Sequence, residues 1–231
     1  SSDLRQCIGC RLERSRQWAM RCVHEASLYE NNCFITLTYD DAHLPEDGSL
    51  NKKHFQDFMK RLRKRFSESP IRYYHCGEYG EQFRRPHYHA CVFNFDFVDK
   101  QKFKRAGDTW LYTSDILGDL WRFGFSTVGA VTFESAAYVA RYILKKVTGE
   151  KAKEHYTVCD TETGELTVLQ PEYTTMSRRP GIGREWLRRF EGDVFPDDFV
   201  VMRGRMMKPP RYYDSIYEIA DPEAYRRIKE Q

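Results

Sequence analysis

An α+β fold built on a central, mainly antiparallel β-sheet with flanking helices is predicted by three features of the sequence. Segments of strand character alternate with segments of helical periodicity. Two of the strand segments follow each other directly, as a hairpin does. No glycine-rich phosphate loop of the kind that opens a parallel α/β domain is present.

The first helical segment is "CRLERSRQWAMRCVHEASLYE" (Cys10 to Glu30), where Trp18, Cys22, Ala26 and Tyr29 recur at helical spacing with charges between them. An Asn-Asn pair breaks that pattern. "CFITLTY" (Cys33 to Tyr39), rich in β-branched and aromatic residues, then reads as a buried strand that runs into the loop "DDAHLPEDGS". In "NKKHFQDFMKRLRKRF", Phe55, Phe58, Leu62 and Phe66 form one apolar stripe, which predicts a helix with a basic outer face, stopped by Pro70. The strands "IRYYHCGEY" and "HYHACVFNF" follow, joined through "GEQFRRP". A polar segment from Asp96 to Thr109 leads to "TSDILGDLWRFG", a short helix capped by Thr113 or Ser114 and ending at Gly124. After the strand "FSTVGAVTF", the segment "ESAAYVARYILKKV" (Glu134 to Val147) has strong helix formers and closes on lysines that suit a helix C-terminus. Beyond Gly149 the pattern is less regular, with a hairpin expected around Glu162 to Gly164. One domain over 1–231 is expected, with an N-terminal helix and a C-terminal extension from about residue 150.

Lys and Arg number 37 against 34 Asp and Glu, so the balance is only mildly basic, but the positive charge is gathered. It concentrates in "KRLRKRF", "SRRPGIGREWLRRF" and "RGRMMKPPRYY", and basic clusters interleaved with aromatics suit a polyanion whose bases can stack, such as single-stranded nucleic acid. No run of about 18 apolar residues and no signal-peptide pattern is present, so neither a membrane span nor secretion is expected. The 7 scattered cysteines fit a reducing compartment. Cys7 and Cys10 in "CIGC" have zinc-ligand spacing and Cys22 is the nearest third candidate, although a second CxxC is missing.

Two histidines one residue apart in "RRPHYHACVF" form the sharpest candidate site. In a strand, side chains at i and i+2 share a face, so His87 and His89 emerge together while Tyr88, Ala90 and Val92 point away. Two imidazoles so placed can share a divalent ion, and a carboxylate ligand would leave positions open for water and a phosphate oxygen. A hairpin closing through "GEQFRRP" brings Glu78 of "CGEYGE" across from the start of the histidine strand; Glu81 and His75 are the reserves. In "YVARYILKK", Tyr138 and Tyr142 lie at i and i+4 and Lys145 follows at i+3 from Tyr142. Core packing with a snorkelling lysine accounts for such a stripe. Beside a metal site it also presents a phenol that can attack a phosphodiester.

These pieces resemble the rolling-circle replication initiators of the HUH endonuclease superfamily, and most closely those of microvirus, gokushovirus-like single-stranded DNA phages. "FITLTYD" is similar to the first motif, "GEYGEQFRRPHYHACVF" to the histidine motif and "YVARYILKK" to the tyrosine motif, in that order; "MSRRPGIGREW" and "KPPRYYD" resemble C-terminal segments of the phage proteins. The resemblance implies an RRM-like antiparallel palm with the tyrosine helix beside the metal site. It implies Mg²⁺ or Mn²⁺ on His87, His89 and Glu78, nucleophiles at Tyr138 and Tyr142, and Lys145 assisting at the phosphate. The activity it implies is nicking and joining of origin DNA through a 5′-phosphotyrosine.

No GxxxxGK[ST] loop occurs, so no helicase domain is expected and a host helicase would unwind the DNA in the bacterial cytoplasm. Arg178, Arg179 and Arg184 are expected among the contacts to single-stranded or hairpin origin DNA. A related transposase or relaxase is an alternative within this chemistry. A non-catalytic nucleic-acid-binding module with a structural metal is the alternative from another class.

Overall fold

The computed structural model describes residues 8–147, 149–159 and 163–230, without the side chains of 142–145. The chain opens with helix α1 (Ile8–Ala26), strand β1 (Asn32–Thr38) and helix α2 (Lys52–Arg65). Strands β2 (Arg72–Tyr79), β3 (Pro86–Phe93), β4 (Gln101–Ala106) and β5 (Thr109–Thr113) follow, then helix α3 (Asp115–Trp121), strand β6 (Ser126–Gly129) and helix α4 (Phe133–Lys145). The remainder holds α5 (Lys151–Tyr156), β7 (Thr157–Cys159), β8 (Leu166–Val168), β9 (Tyr173–Met176), α6 (Arg184–Val194), β10 (Val200–Met202), β11 (Arg205–Met207), α7 (Arg211–Ala220) and α8 (Pro222–Lys229).

Local chemistry sets most boundaries. α1 stops short of the expected Glu30 because the Asn32 side-chain amide donates to the Ala26 and Tyr29 carbonyls at 3.0 and 3.1 Å, closing the helix end. Asn51 caps α2 by accepting from Lys53 N, and Ser114 caps α3 by accepting from Leu117 N. α3 ends at Trp121 rather than at Gly124, with Arg122 in the left-handed region at φ 67°. The expected strand from Phe125 to Phe133 is only β6, since Thr132 and Ser135 form a capping box that starts α4 at Phe133.

A seven-stranded sheet in the order β4-β5-β6-β1-β3-β2-β9 dominates the described residues, and every neighbouring pair in it is antiparallel. The α+β fold with an antiparallel palm is therefore as the sequence predicts, with β2 and β3 as the expected hairpin. Two parts were not foreseen: the polar segment after Asp96 forms the β4–β5 hairpin at one edge, and β9 adds itself beside β2 at the other. The expected later hairpin is β7 pairing β8. The irregular tail instead contains α6, α7, α8 and the β10–β11 pair.

The sheet is covered on both faces. On one, Ile35, Leu37, Tyr88, Ala90 and Val92 pack against Phe55, Phe58 and Leu62 of α2 and Leu117 and Trp121 of α3. On the other, Tyr74, Cys76, Cys91 and Phe93 meet Ala19 and Cys22 of α1 and Ala136, Val139 and Ala140 of α4. A third cluster joins Met20 of α1 to Leu187, Val194, Val200, Tyr213 and Ile228. Each fully buried large side chain contributes roughly 1.5–3 kcal/mol. No helix among the described residues is long and apolar enough to cross a membrane.

Candidate active site

β3 lies at the centre of the sheet, and its register carries the site. Glu78 of β2 stands opposite His87, while Thr36 and Thr38 of β1 stand opposite His89 and His87. Cross-strand partners share a face, so these side chains gather on the side that α4 covers. The buried side of α4 is made of Ala136, Ala137, Val139 and Ala140, small enough for the helix to approach α1, and Ser15 Oγ donates to Ala137 O at 3.0 Å to fix it there. Tyr138, on the flank of α4, reaches the carboxylate: its hydroxyl donates to Glu78 Oε1 at 3.2 Å, and its ring stands edge-on to His89 with centroids 5.0 Å apart. At 39% exposure the phenol remains open to a substrate.

Glu78 and His89 are buried, 4% and 6% exposed, so their polar atoms must be satisfied internally. Glu78 Oε1 lies 2.8 Å from His89 Nε2. A carboxylate only accepts, which places the imidazole proton on Nε2 and leaves Nδ1 to accept from the Thr36 hydroxyl at 3.0 Å. His87 has the opposite tautomer, since Nδ1–H donates to the Arg85 carbonyl at 2.5 Å and the lone pair is on Nε2. Burial lowers the His87 pKa, which favours the neutral ring that a metal requires. Gly80 leaves room for that ring: a Cβ there would come within 3.0 Å of His87 Cε1.

The donor set fits a divalent ion of the Mg²⁺ or Mn²⁺ class. Glu78 Oε1 and His89 Nε2 have the spacing of adjacent octahedral ligands, about 3 Å for bonds of about 2.0–2.1 Å. An ion between them would replace the Nε2 proton, and Thr36 could then accept from Nδ1–H, the usual support for a histidine ligand. The cage is not closed as placed. The His87 and His89 rings are parallel with centroids 6.4 Å apart, and among the described residues no three His, Cys, Asp or Glu side chains form a ready-made metal cluster.

Other expected residues lie elsewhere. His75 faces the opposite side of the sheet, fully buried and stacked on Phe55 at 3.4 Å, so it cannot join Glu78 as a reserve ligand. Glu81 is exposed on the turn after β2. Tyr142 and Lys145 continue α4, but their side chains lie outside the described residues. Arg178 and Arg179, both exposed, line a groove with Arg63 and Arg72 at the far end of β2, about 17 Å along the strand from Glu78. Arg184 is exposed at the start of α6. The zinc set needs correction. Cys10 and Cys22 sit twelve residues apart on the continuous helix α1, a rise of about 18 Å, so they cannot share an ion. Cys22 is buried against Cys91, and burial raises its thiol pKa, which disfavours the thiolate zinc needs. Cys7 lies outside the described residues.

Sequence reasoning missed Thr36, which orients His89, and the Arg85 carbonyl, which orients His87. The alternation of Thr36 and Thr38 in "FITLTYD" carried a signal for the first. Nothing in sequence marks a backbone carbonyl.

Comparison with known proteins gives the site its family. Residues 32–147, from β1 through α4, match the family model for the phage replication-associated protein ORF2. The chain is 35% identical over 231 residues to replication-associated protein VP4 of Bdellovibrio phage phiMH2K, covering 96% of this chain and 69% of that protein. It is 34% identical over 229 residues to replication-associated protein ORF2 of Spiroplasma virus 4, covering 93% and 67%. Replication-associated protein ORF4 of Chlamydia phage 1 is 28% identical over 225 residues, and there the chain spans about half, 52%, of the relative. No solved structure matches. With the site-bearing core matched by the family and phage relatives aligned along nearly the whole length, the chain belongs to the replication-associated protein ORF2 family, among gokushovirus-like replication initiators.

Proposed function

We propose that this protein is a nicking and joining endonuclease that starts rolling-circle replication of phage DNA by cleaving a single-stranded origin through a tyrosine. The observation that carries the reading is the meeting of Tyr138, Glu78 and His89 on one face of the sheet, with Glu78 Oε1 accepting from both rings' polar atoms.

In this reading Tyr138 supplies the attacking oxygen. Its O–H donates to Glu78, which orients the phenol and gives its proton an acceptor as the oxygen attacks phosphorus. The new bond joins the tyrosine oxygen to phosphorus, the bond from phosphorus to the 3′-oxygen breaks, and that oxygen leaves as a hydroxyl after taking up a proton. The products are a 5′-phosphotyrosine and a free 3′-end. Divalent Mg²⁺ or Mn²⁺ held by Glu78, His89 and His87 would supply Lewis-acid polarisation of the phosphate oxygen. Tyr142 is assigned the second transfer and Lys145 the charge at the phosphate. Arg178, Arg179 and Arg184 hold phosphates away from the scissile one, in a salt-sensitive manner. A host helicase would supply unwinding.

The test is incubation with a single-stranded origin oligonucleotide and Mn²⁺, followed by a denaturing gel. A covalent adduct is expected from the native protein and not from Tyr138→Phe. An adduct that persists when both Tyr138 and Tyr142 are replaced by Phe, or none on any origin sequence, would overturn the reading; DNA binding without an adduct would favour a non-catalytic module.

A further inference from the structure

We propose that the β4–β5 edge of the sheet is a base-stacking platform for single-stranded DNA, with Phe125 and Phe103 receiving bases and Lys104 a phosphate beside them. The inference rests on the nuclease reading and adds the residues that guide the strand to the site.

Register places this platform in line with the site. Glu78, His87 and Thr38 are cross-strand neighbours, and Thr38 N and Oγ1 both donate to the Phe125 carbonyl at 2.9 Å, which extends the row by one more residue. Thr127 pairs with Thr36, which pairs with His89, so Phe125, two residues before Thr127, points to the same face as the histidines. Two strand spacings separate Phe125 from His87, about 10 Å across the sheet. The close approach is permitted by Gly124, at φ 147°, where any Cβ would lie 2.3 Å from Asp40 N.

Beyond Phe125 the surface continues. The register of β4 against β5 shifts between Lys102 and Lys104, and Phe103, the residue at that bulge, packs on Phe125 with ring centroids 5.2 Å apart. Lys104 pairs with Leu111, whose side chain lies over Gly129 on this face. Phe103 and Phe125 remain 51% and 49% exposed. Lysines alone would be explained by an edge strand that must not pair with another chain. Half-exposed aromatic rings are not; they raise the hydrophobic exposure that such an edge avoids. Aromatic faces beside a cation, continuous with a phosphodiester-cleaving site, match the chemistry of an unpaired strand, whose bases stack without regard to sequence.

The experiment measures binding of a fluorescent single-stranded oligonucleotide by anisotropy in EDTA, where cleavage does not interfere. Phe103→Ala with Phe125→Ala should weaken binding about tenfold or more, with the salt slope unchanged, while Phe→Trp at both positions should retain it. Lys104→Ala should shrink the salt slope by about one phosphate. On native protein, photolysis of a 5-iodouracil-substituted oligonucleotide should crosslink peptides containing Phe103 or Phe125, a readout independent of variant folding. Native affinity in the double Ala variant, or crosslinks confined to other peptides, overturns the platform while leaving the nuclease reading intact. No binding and no adduct from the native protein would instead overturn the nuclease reading.

Discussion

Thr36 tests the site at the level of single atoms. Its hydroxyl bonds His89 Nδ1 at 3.0 Å and can accept or donate, which lets His89 Nε2 exchange a proton for an ion. Thr36→Val keeps the shape and removes that bond. The Mn²⁺ concentration giving half-maximal cleavage should rise about 10- to 100-fold, with activity recovering at saturating metal and Thr36→Ser close to native. An unchanged metal requirement would show that His89 is not the ligand Thr36 supports. The pair His87 and His89 and their partner Glu78 were legible from the period of two alone, because a strand leaves no choice of face. The same rule separates His75 from Glu78, three residues apart, so its place on Phe55 was also readable. What sequence could not show was tautomer, since the Arg85 carbonyl that fixes His87 belongs to a turn whose path depends on the folded hairpin.

Among the elements, α4 governs where the phenol goes. Its approach depends on Ala140, 2% exposed among the small residues facing α1 and the sheet. Ala140→Leu should cost about 1–3 kcal/mol by overpacking. Because the helix would be displaced from Glu78, single-turnover nicking should fall more steeply than oligonucleotide affinity, read by gel and anisotropy on the same preparation. An equal fall in both would mean the substitution only unfolds the protein. Helix α4 was legible through its periodicity and strong helix formers. The β4–β5 hairpin was not, because β4 is exposed along its whole length and shows no buried alternation. The helices after Arg184 were obscured for another reason: their apolar residues meet α1 across long sequence separations, in a cluster no local window contains.

At the scale of the whole molecule, that distant cluster makes stability depend on pH through His24. The ring lies in α1, 5% exposed, stacked on Trp186 of α6 at 3.6 Å and hydrogen-bonded through Nδ1 to the Tyr213 hydroxyl of α7 at 2.9 Å. Burial lowers its pKa from 6.5 to about 4. Between those values the unfolded chain takes up a proton that the folded chain refuses. Stability should therefore be fully present above about pH 6.5, decline as pH falls toward 4, and lose about 3 kcal/mol from this group over the window. His24→Phe keeps an aromatic ring against Trp186 but deprives the Tyr213 hydroxyl of its acceptor, so it should be less stable at pH 7. Its urea midpoint should nevertheless fall less than the native one between pH 6.5 and 4.5. Buried carboxylates and His75 contribute to both proteins alike, and the difference between the curves isolates His24. Parallel curves would mean that the folded ring accepts its proton as readily as the unfolded chain, and that the α1–α6–α7 junction is open to water at that point.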